Sequence, residues 1–536
     1  MANILTRRSF MGASFKATAA LGLASLMNIP PFLKRALAEG SIGVNGKKLL
    51  FIFLRGGNDG VNNILPIQDP AYLANRTDIG IPKEPNTNYG ATTGAADPVT
   101  FGDAYRYAIR LGNGFAALNP ALVDLVPLFN TGKLALLHRV AYRRQSRDHF
   151  FSERYWEKAA DGVPTNNRYI SDGLWYRTIV ESGYNKTPLL ATGKLPALSA
   201  VSIQSNMPMS LRGVEPMTNL SNINRYNILG VSNPSGSFNQ DRVKILDDID
   251  AANHRPYAEK DNRALVHDLG IAFHDTLDII RDRIVDSDVF YDLDGTTRLF
   301  PTNNTEDNVN AALRRQGGSF GFIGNIKTCA QILSETDAVI AGTELGSFDN
   351  HSAQVTAGSP HLGTHTNLLR RLAWAYYALW RYFSSKNMWD KVVVVTMSEF
   401  GRTSVENANN GTDHAEASVM YVAGGGVTGG IYGCNTNDST QPGVKNWVPG
   451  DGVNPKSGSL FSANSSVGYL KRLIDYRSVV GEIIRDHLGA TDAQLSRIIP
   501  AYGNEGVEHL KLGGTVVDTV NSTTTFTPIL GELGLV

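Results

Sequence analysis

Lys48 to Gly60 reads KLLFIFLRGGNDG. Six consecutive apolar residues, Leu49 to Leu54, show no polar alternation, which is the pattern of a strand buried on both faces in a parallel sheet. The run stops at Arg55-Gly56-Gly57-Asn58-Asp59-Gly60, a tight loop of the kind that follows such strands. The unit recurs downstream. Asn367 to Phe383 (NLLRRLAWAYYALWRYF) repeats apolar residues at intervals of three and four, as a helix does, and leads into the strand-like Lys391 to Met397 (KVVVVTM). Leu134 to His138 follows a helical stretch near Pro120 to Leu128, and Ala338 to Leu345 follows one including Ile326 to Leu333. Ser418 to Ala423 and a helix around Ser478 to Leu488 complete the series. The pattern predicts an α/β fold with a central, largely parallel (mixed) sheet and helices on both faces.

The chain has 536 residues, 42% hydrophobic and 19% charged, which suits a folded chain and excludes intrinsic disorder. Fifty basic residues balance fifty acidic ones, so no basic footprint for a nucleic-acid backbone is expected. Residues 39–536 read as one large domain, with long polar stretches near 80–112 and 200–260 as insertions. Ala264 to Ile284 reads as a helix whose His267 and His274 are face residues rather than a ligand pair. The tail after Leu512 reads as a surface strand or loose terminus. Cys329 and Cys434 lack a CxxC spacing and are expected to be two buried thiols, with a single periplasmic disulfide as the alternative.

Residues 1–38 read as an export signal. Arg7 and Arg8 precede an Ala- and Gly-rich middle, and Ala36-Leu37-Ala38 offers a small-x-small cleavage site, as in twin-arginine signals. Basic residues and no acidic ones occupy this segment. The 13 residues between Lys16 and Pro30 are too few to span about 30 Å of hydrocarbon as a helix, so no stable membrane insertion is expected. The expectation is a periplasmic or secreted bacterial protein handed to the twin-arginine export machinery.

Chemistry-bearing residues cluster just after the apolar runs, where open α/β sheets place their sites. Asp59 sits in the Gly-rich loop after the first run. Ser146-Arg147-Asp148-His149 brings a hydroxyl, a guanidinium and an imidazole together, with Ser146 also suited to cap a helix start. Asp349 and His351, two apart, share a side of extended chain. Ser398-Glu399-Phe400-Gly401-Arg402 contains an arginine suited to an oxyanion, and Asp413-His414 presents adjacent diverging donors. Gly424 to Gly429 fits GxGxxG, but the residues after it cannot form the helix a dinucleotide site needs; a hairpin turn or irregular loop is expected instead.

The ordered set FLRGGNDGVN (53–62), SRDHF (146–150), FDNHSAQ (348–354), SEFGRT (398–403), GTDHA (411–415) and DYR (475–477) resembles the secreted bacterial proteins grouped as "domain of unknown function 1501". The resemblance runs from about 48 to 490. That family is similar to the alkaline phosphatase and sulfatase superfamily, which implies an alkaline-phosphatase-like fold with a metal cleft at the strand ends. Carried over, Asp59, Asp349, His351, Asp413 and His414 would hold one or two divalent cations (zinc, manganese, magnesium or calcium), and either Ser146 or a metal-bound water would be the nucleophile, with His149 beside it as base or ligand. Two departures stand out: the later Asp and His are two apart where the phosphatases space them four apart, and His487 is poorly placed as the final histidine ligand.

The expected function is an exported metal-dependent hydrolase or transferase acting on a small-molecule or polymer ester of phosphate or sulfate. Arg402, with Arg55, would hold the non-bridging oxygens. The alternative is a non-catalytic, metal-containing binding or assembly protein of the same fold at the cell surface.

Overall fold

The structure is a computed structural model that describes residues 42–43, 45–83, 106–163, 171–183, 198–214, 217–221, 284, 288–307, 320–435, 447, 458–460, 468–500, 502–503, 509–520 and 523–536. The export signal at 1–38 and nearly all of the 264–284 helix lie outside the described residues.

Nine strands form the main sheet among the described residues: β1 (Lys48–Leu54), β2 (Leu134–Ala141), β3 (Ala200–Ile203), β4 (Thr218–Leu220), β5 (Ile340–Leu345), β6 (Val392–Ser398), β7 (Ser418–Gly424), β8 (Gly430–Tyr432) and β9 (Ile474–Asp475). Their order is β8-β2-β7-β6-β1-β5-β3-β4, with β9 also on β2. β1 pairs in parallel with both β5 and β6, and β3 continues that sense. β7 alone runs the other way, antiparallel to β6 and β2. The apolar run therefore occupies the middle of the sheet, where burial on both faces explains its lack of alternation.

Leu50, Ile52 and Leu54 of β1 enter one core, and Leu49, Phe51 and Phe53 enter the other. The first core holds the apolar faces of α3 (Gly321–Glu335) and α4 (Thr364–Ser385); the second holds α1 (His149–Glu157), α2 (Leu174–Ser182) and α5 (Tyr476–Glu482). α4 is helical because Leu368, Leu369, Leu372, Ala375, Tyr376 and Leu379 recur at helical spacing on its buried side. Each buried leucine among them contributes on the order of 1.5–3 kcal/mol.

Several element bounds differ from the sequence reading. β2 runs on to Ala141 through a bulge: Val140 pairs with Ser418 and His138 with Val419, leaving Arg139 as the extra residue, at φ 62°. β3 and β4 fall inside the stretch read as an insertion near 200–260, because four and three residues are too short to show periodicity. Gly424 to Gly429 builds an irregular loop and not a hairpin, since β8 pairs with β2 on the far side of β7. The tail forms an antiparallel hairpin, Gly514–Val520 with Thr523–Ile529. Both cysteines are free and buried. No helix among the described residues is long and apolar enough to cross a membrane.

Because the strands other than β7 share one direction, their C-terminal loops emerge at a single edge, and β7 enters from that same edge. The loops at 55–60, 142–149, 346–351, 399–403 and 411–417 are thereby neighbours.

Gly342 of β5 lies in register with Phe51, and a Cβ there would stand 2.2 Å from the Phe51 ring, which itself stacks on Trp175. Gly342→Val is expected to destabilise the fold by about 1–3 kcal/mol, read as a lower urea midpoint. An unchanged midpoint would mean the ring moves aside freely.

Candidate metal centre

The edge loops approach one another closely because two glycines permit it. Gly56 and Gly57 adopt φ 112° and 73°, and a Cβ would stand 2.4 Å from the Asp349 nitrogen at the first and 2.4 Å from the Phe400 ring at the second. Arg402, buried, fastens the loops. Its Nε donates to the Gly57 carbonyl at 2.8 Å and Nη1 to that of Thr412 at 3.0 Å. Nη2 donates to the Gly56 carbonyl and, at 2.6 Å, to Asp349 Oδ1.

Three imidazoles surround Asp349. His149, the first residue of α1, has Nδ1 3.0 Å from Glu399 Oε1. His351 has Nδ1 3.0 Å from Asp413 Oδ1, and His414 has Nδ1 2.8 Å from the Arg147 carbonyl. Carboxylates and carbonyls only accept, so each Nδ1 carries the hydrogen and each Nε2 is bare in the neutral ring. The bare nitrogens converge. His351 Nε2 lies 2.9 Å from His414 Nε2, and Asp349 Oδ1 is 3.1 Å from the former and 3.4 Å from the latter. His149 Nε2 is 3.5 Å from Asp349 Oδ2, and the ligand atoms of His149, Asp349 and His414 all lie within 4.8 Å of one another.

The electrostatics follow these contacts. The Glu399 hydrogen bond lifts His149 above the ordinary histidine value despite partial burial. Burial, reinforced by the Arg402 charge, lowers His414. For Asp349, burial works upward, but the hydrogen bond and charge of Arg402 outweigh it and hold the carboxyl below its usual value. Asp413 is lowered chiefly by its hydrogen bond with His351.

The remaining sequence candidates are placed differently. Asp59 does not reach this cluster: it is buried, and Arg76 grips it with both terminal nitrogens at 2.7 and 2.9 Å while Gln354 donates at 2.6 Å. Asp413 supports His351 through Oδ1. Ser146 Oγ accepts the Asp148 amide at 3.2 Å and meets no histidine among the described residues; Asp148, not Ser146, caps α1 by accepting from Phe151. Arg402 spends its donors on carbonyls and Asp349, with Nη1 also 3.4 Å from His351 Nε2, so it positions ligands rather than offering a free clamp. Arg55 is bound to Glu153, Glu157 and Glu344. His487 bonds the Lys48 carbonyl, at the opposite end of β1 from the cluster.

Glu399 has no role assigned by the sequence pattern alone. The local signal is a carboxylate immediately after the largely apolar run Val392–Ser398, but the half-buried partner it serves lies 250 residues earlier in the chain.

Residues 297–449 match the family model described as "Protein of unknown function (DUF1501)", a span that contains Asp349, His351, Glu399, Arg402, Asp413 and His414. No curated protein and no solved structure matches the chain.

The Asp59–Arg76 pair is a structural element with a measurable signature. Burial would raise the Asp59 carboxyl, yet the Arg76 charge and hydrogen bond hold it below the usual value. Asp59→Asn leaves a buried guanidinium uncompensated and is expected to cost about 3–5 kcal/mol near neutral pH. The wild-type advantage should be full above the unfolded-state value of about 3.9 and disappear as pH falls through the lower folded value, as checked by denaturation midpoints of both proteins across pH. A difference that grows on acidification would refute the pairing.

Proposed function

We propose that the chain is an exported hydrolase or transferase acting on phosphate or sulfate esters, dependent on a divalent cation held by His149, Asp349, His351 and His414. The observation that carries this reading is the convergence of bare Nε2 atoms on one carboxylate. Two lone pairs 2.9 Å apart repel unless a cation or a shared proton lies between them. Three imidazoles and one carboxylate, each imidazole anchored through its other nitrogen, suit zinc best among the common divalent ions. With Asp59 paired elsewhere and Asp413 turned to His351, the donor set fits one cation better than two.

A divalent cation at this position would polarise an ester oxygen and offset charge on the entering and leaving oxygens. The protein supplies the framework. Arg402 orients Asp349, and the Asp148-capped start of α1 fixes His149. Arg147 is exposed, lies 4.9 Å over the Tyr469 ring, donates Nη1 to the Tyr469 hydroxyl and gives its carbonyl to His414. In this reading its remaining donors take the oxyanion-binding role that Arg402 and Arg55 are too committed to fill. Among the described residues no base bonds the Ser146 hydroxyl, so the nucleophile in this reading is water. Export through the twin-arginine route rests on the pattern of residues 1–38.

The Ser146 hydroxyl, which accepts the Asp148 amide and meets no base among the described residues, also favours a second reading, in which the cation centre serves a non-catalytic binding or assembly role at the cell surface. Metal analysis of protein prepared without chelator should find about one divalent cation per chain, lost in His149→Ala, Asp349→Ala and His414→Ala and kept in Ser146→Ala. Aryl phosphates, phosphodiesters and sulfates, tested with the loaded protein, then separate the readings. Turnover that survives Ser146→Ala supports the hydrolase with water as nucleophile, whereas metal without turnover on any of them supports the second role. A chain free of metal contradicts both.

A further inference from the structure

We infer that the buried Glu399 carboxylate is the positioning residue of this centre: it fixes the His149 ring for the cation, and its negative charge serves metal affinity rather than fold stability. The inference rests on the metal-centre reading above. Glu399 follows β6 directly and is fully buried. Its Oε1 accepts the Gly56 amide at 2.5 Å and faces His149 Nδ1 at 3.0 Å. Its main-chain carbonyl accepts from Gln145 at 3.1 Å and from the Ser152 hydroxyl, so one residue ties the loop after β1, the approach to α1 and α1 itself.

The other carboxylate oxygen, Oε2, is buried and has no hydrogen-bond partner among the described residues. Neither contact at Oε1 requires a charge, because a glutamine amide oxygen could accept both. A buried ionised carboxylate with an unsatisfied oxygen is costly for folding unless a cation compensates it. His149 transmits that compensation. A cation at Nε2 draws density from the ring, strengthens the Nδ1–H bond to Glu399, and makes the carboxylate's charge favourable.

The neighbouring supports sharpen the contrast. His414 is held by a neutral carbonyl. His351 is held by a carboxylate, but the Asp413 side chain is 60% exposed where that of Glu399 is 0% exposed, so water screens its charge. Among these three supports, Glu399 alone is both charged and dry.

The test is competition titration of zinc against a chelating dye on the full chain, paired with thermal unfolding of the metal-free protein. Glu399→Gln should weaken zinc binding by about 10–100-fold while metal-free melting stays level or rises. Asp413→Asn should weaken it less. Wild-type zinc affinity in Glu399→Gln overturns this inference alone, as does a metal-free melting temperature that falls together with affinity, since that marks a structural role. Wild-type protein that takes up no zinc overturns the metal reading and this inference with it.

Discussion

The guanidinium of Arg402 is the point on which the strand-end edge depends. A buried cation must be met by acceptors, and here they are the carbonyls of Gly56, Gly57 and Thr412 together with the Asp349 carboxylate. These belong to loops following three different strands or entering a fourth, so satisfying one side chain fixes their mutual spacing. The glycines at 56 and 57 are the other half of the constraint, because any side chain there would strike Asp349 or Phe400. Charge satisfaction draws the loops in, and missing Cβ atoms let them come.

Much of this architecture is legible in the sequence because it rests on local patterns. The β1 run is apolar from Leu49 to Leu54 and that of β6 is broken only by Thr396 before Ser398, since both lie centrally and are covered on both faces, and the spacing within α4 records its buried side. β3 and β4 leave no such mark. Their few residues gain strand character only from the neighbours they pair with.

The centre is legible in part, and the boundary is instructive. Asp349, His351 and His414 announce themselves by chemistry and by position after strands, and His149 by its place in SRDHF. Asp59 has the same local appearance, an acid in a Gly-rich loop, yet it is consumed by Arg76, 17 residues on and itself far from any strand end in sequence. Donor type shows in a sequence; which donor is already paired is a property of the folded chain. The same limit applies to Arg55 and Arg402, whose potential as free clamps is removed by carboxylates and carbonyls brought from elsewhere. It also hides Glu399, whose role exists only once α1 lies against β6.

β7, the one reversed strand among the described strands of the main sheet, gives the cluster a further property. By entering from the shared edge it delivers His414 beside Asp349, 65 residues earlier in the chain, while His149 comes from a segment still farther upstream. In the unfolded polypeptide these donors are scattered, and they meet only after the central strands have assembled in register. A cation captured there would act as a clasp on the finished sheet, and its binding energy would add to the cooperativity of the whole domain instead of stabilising any one segment.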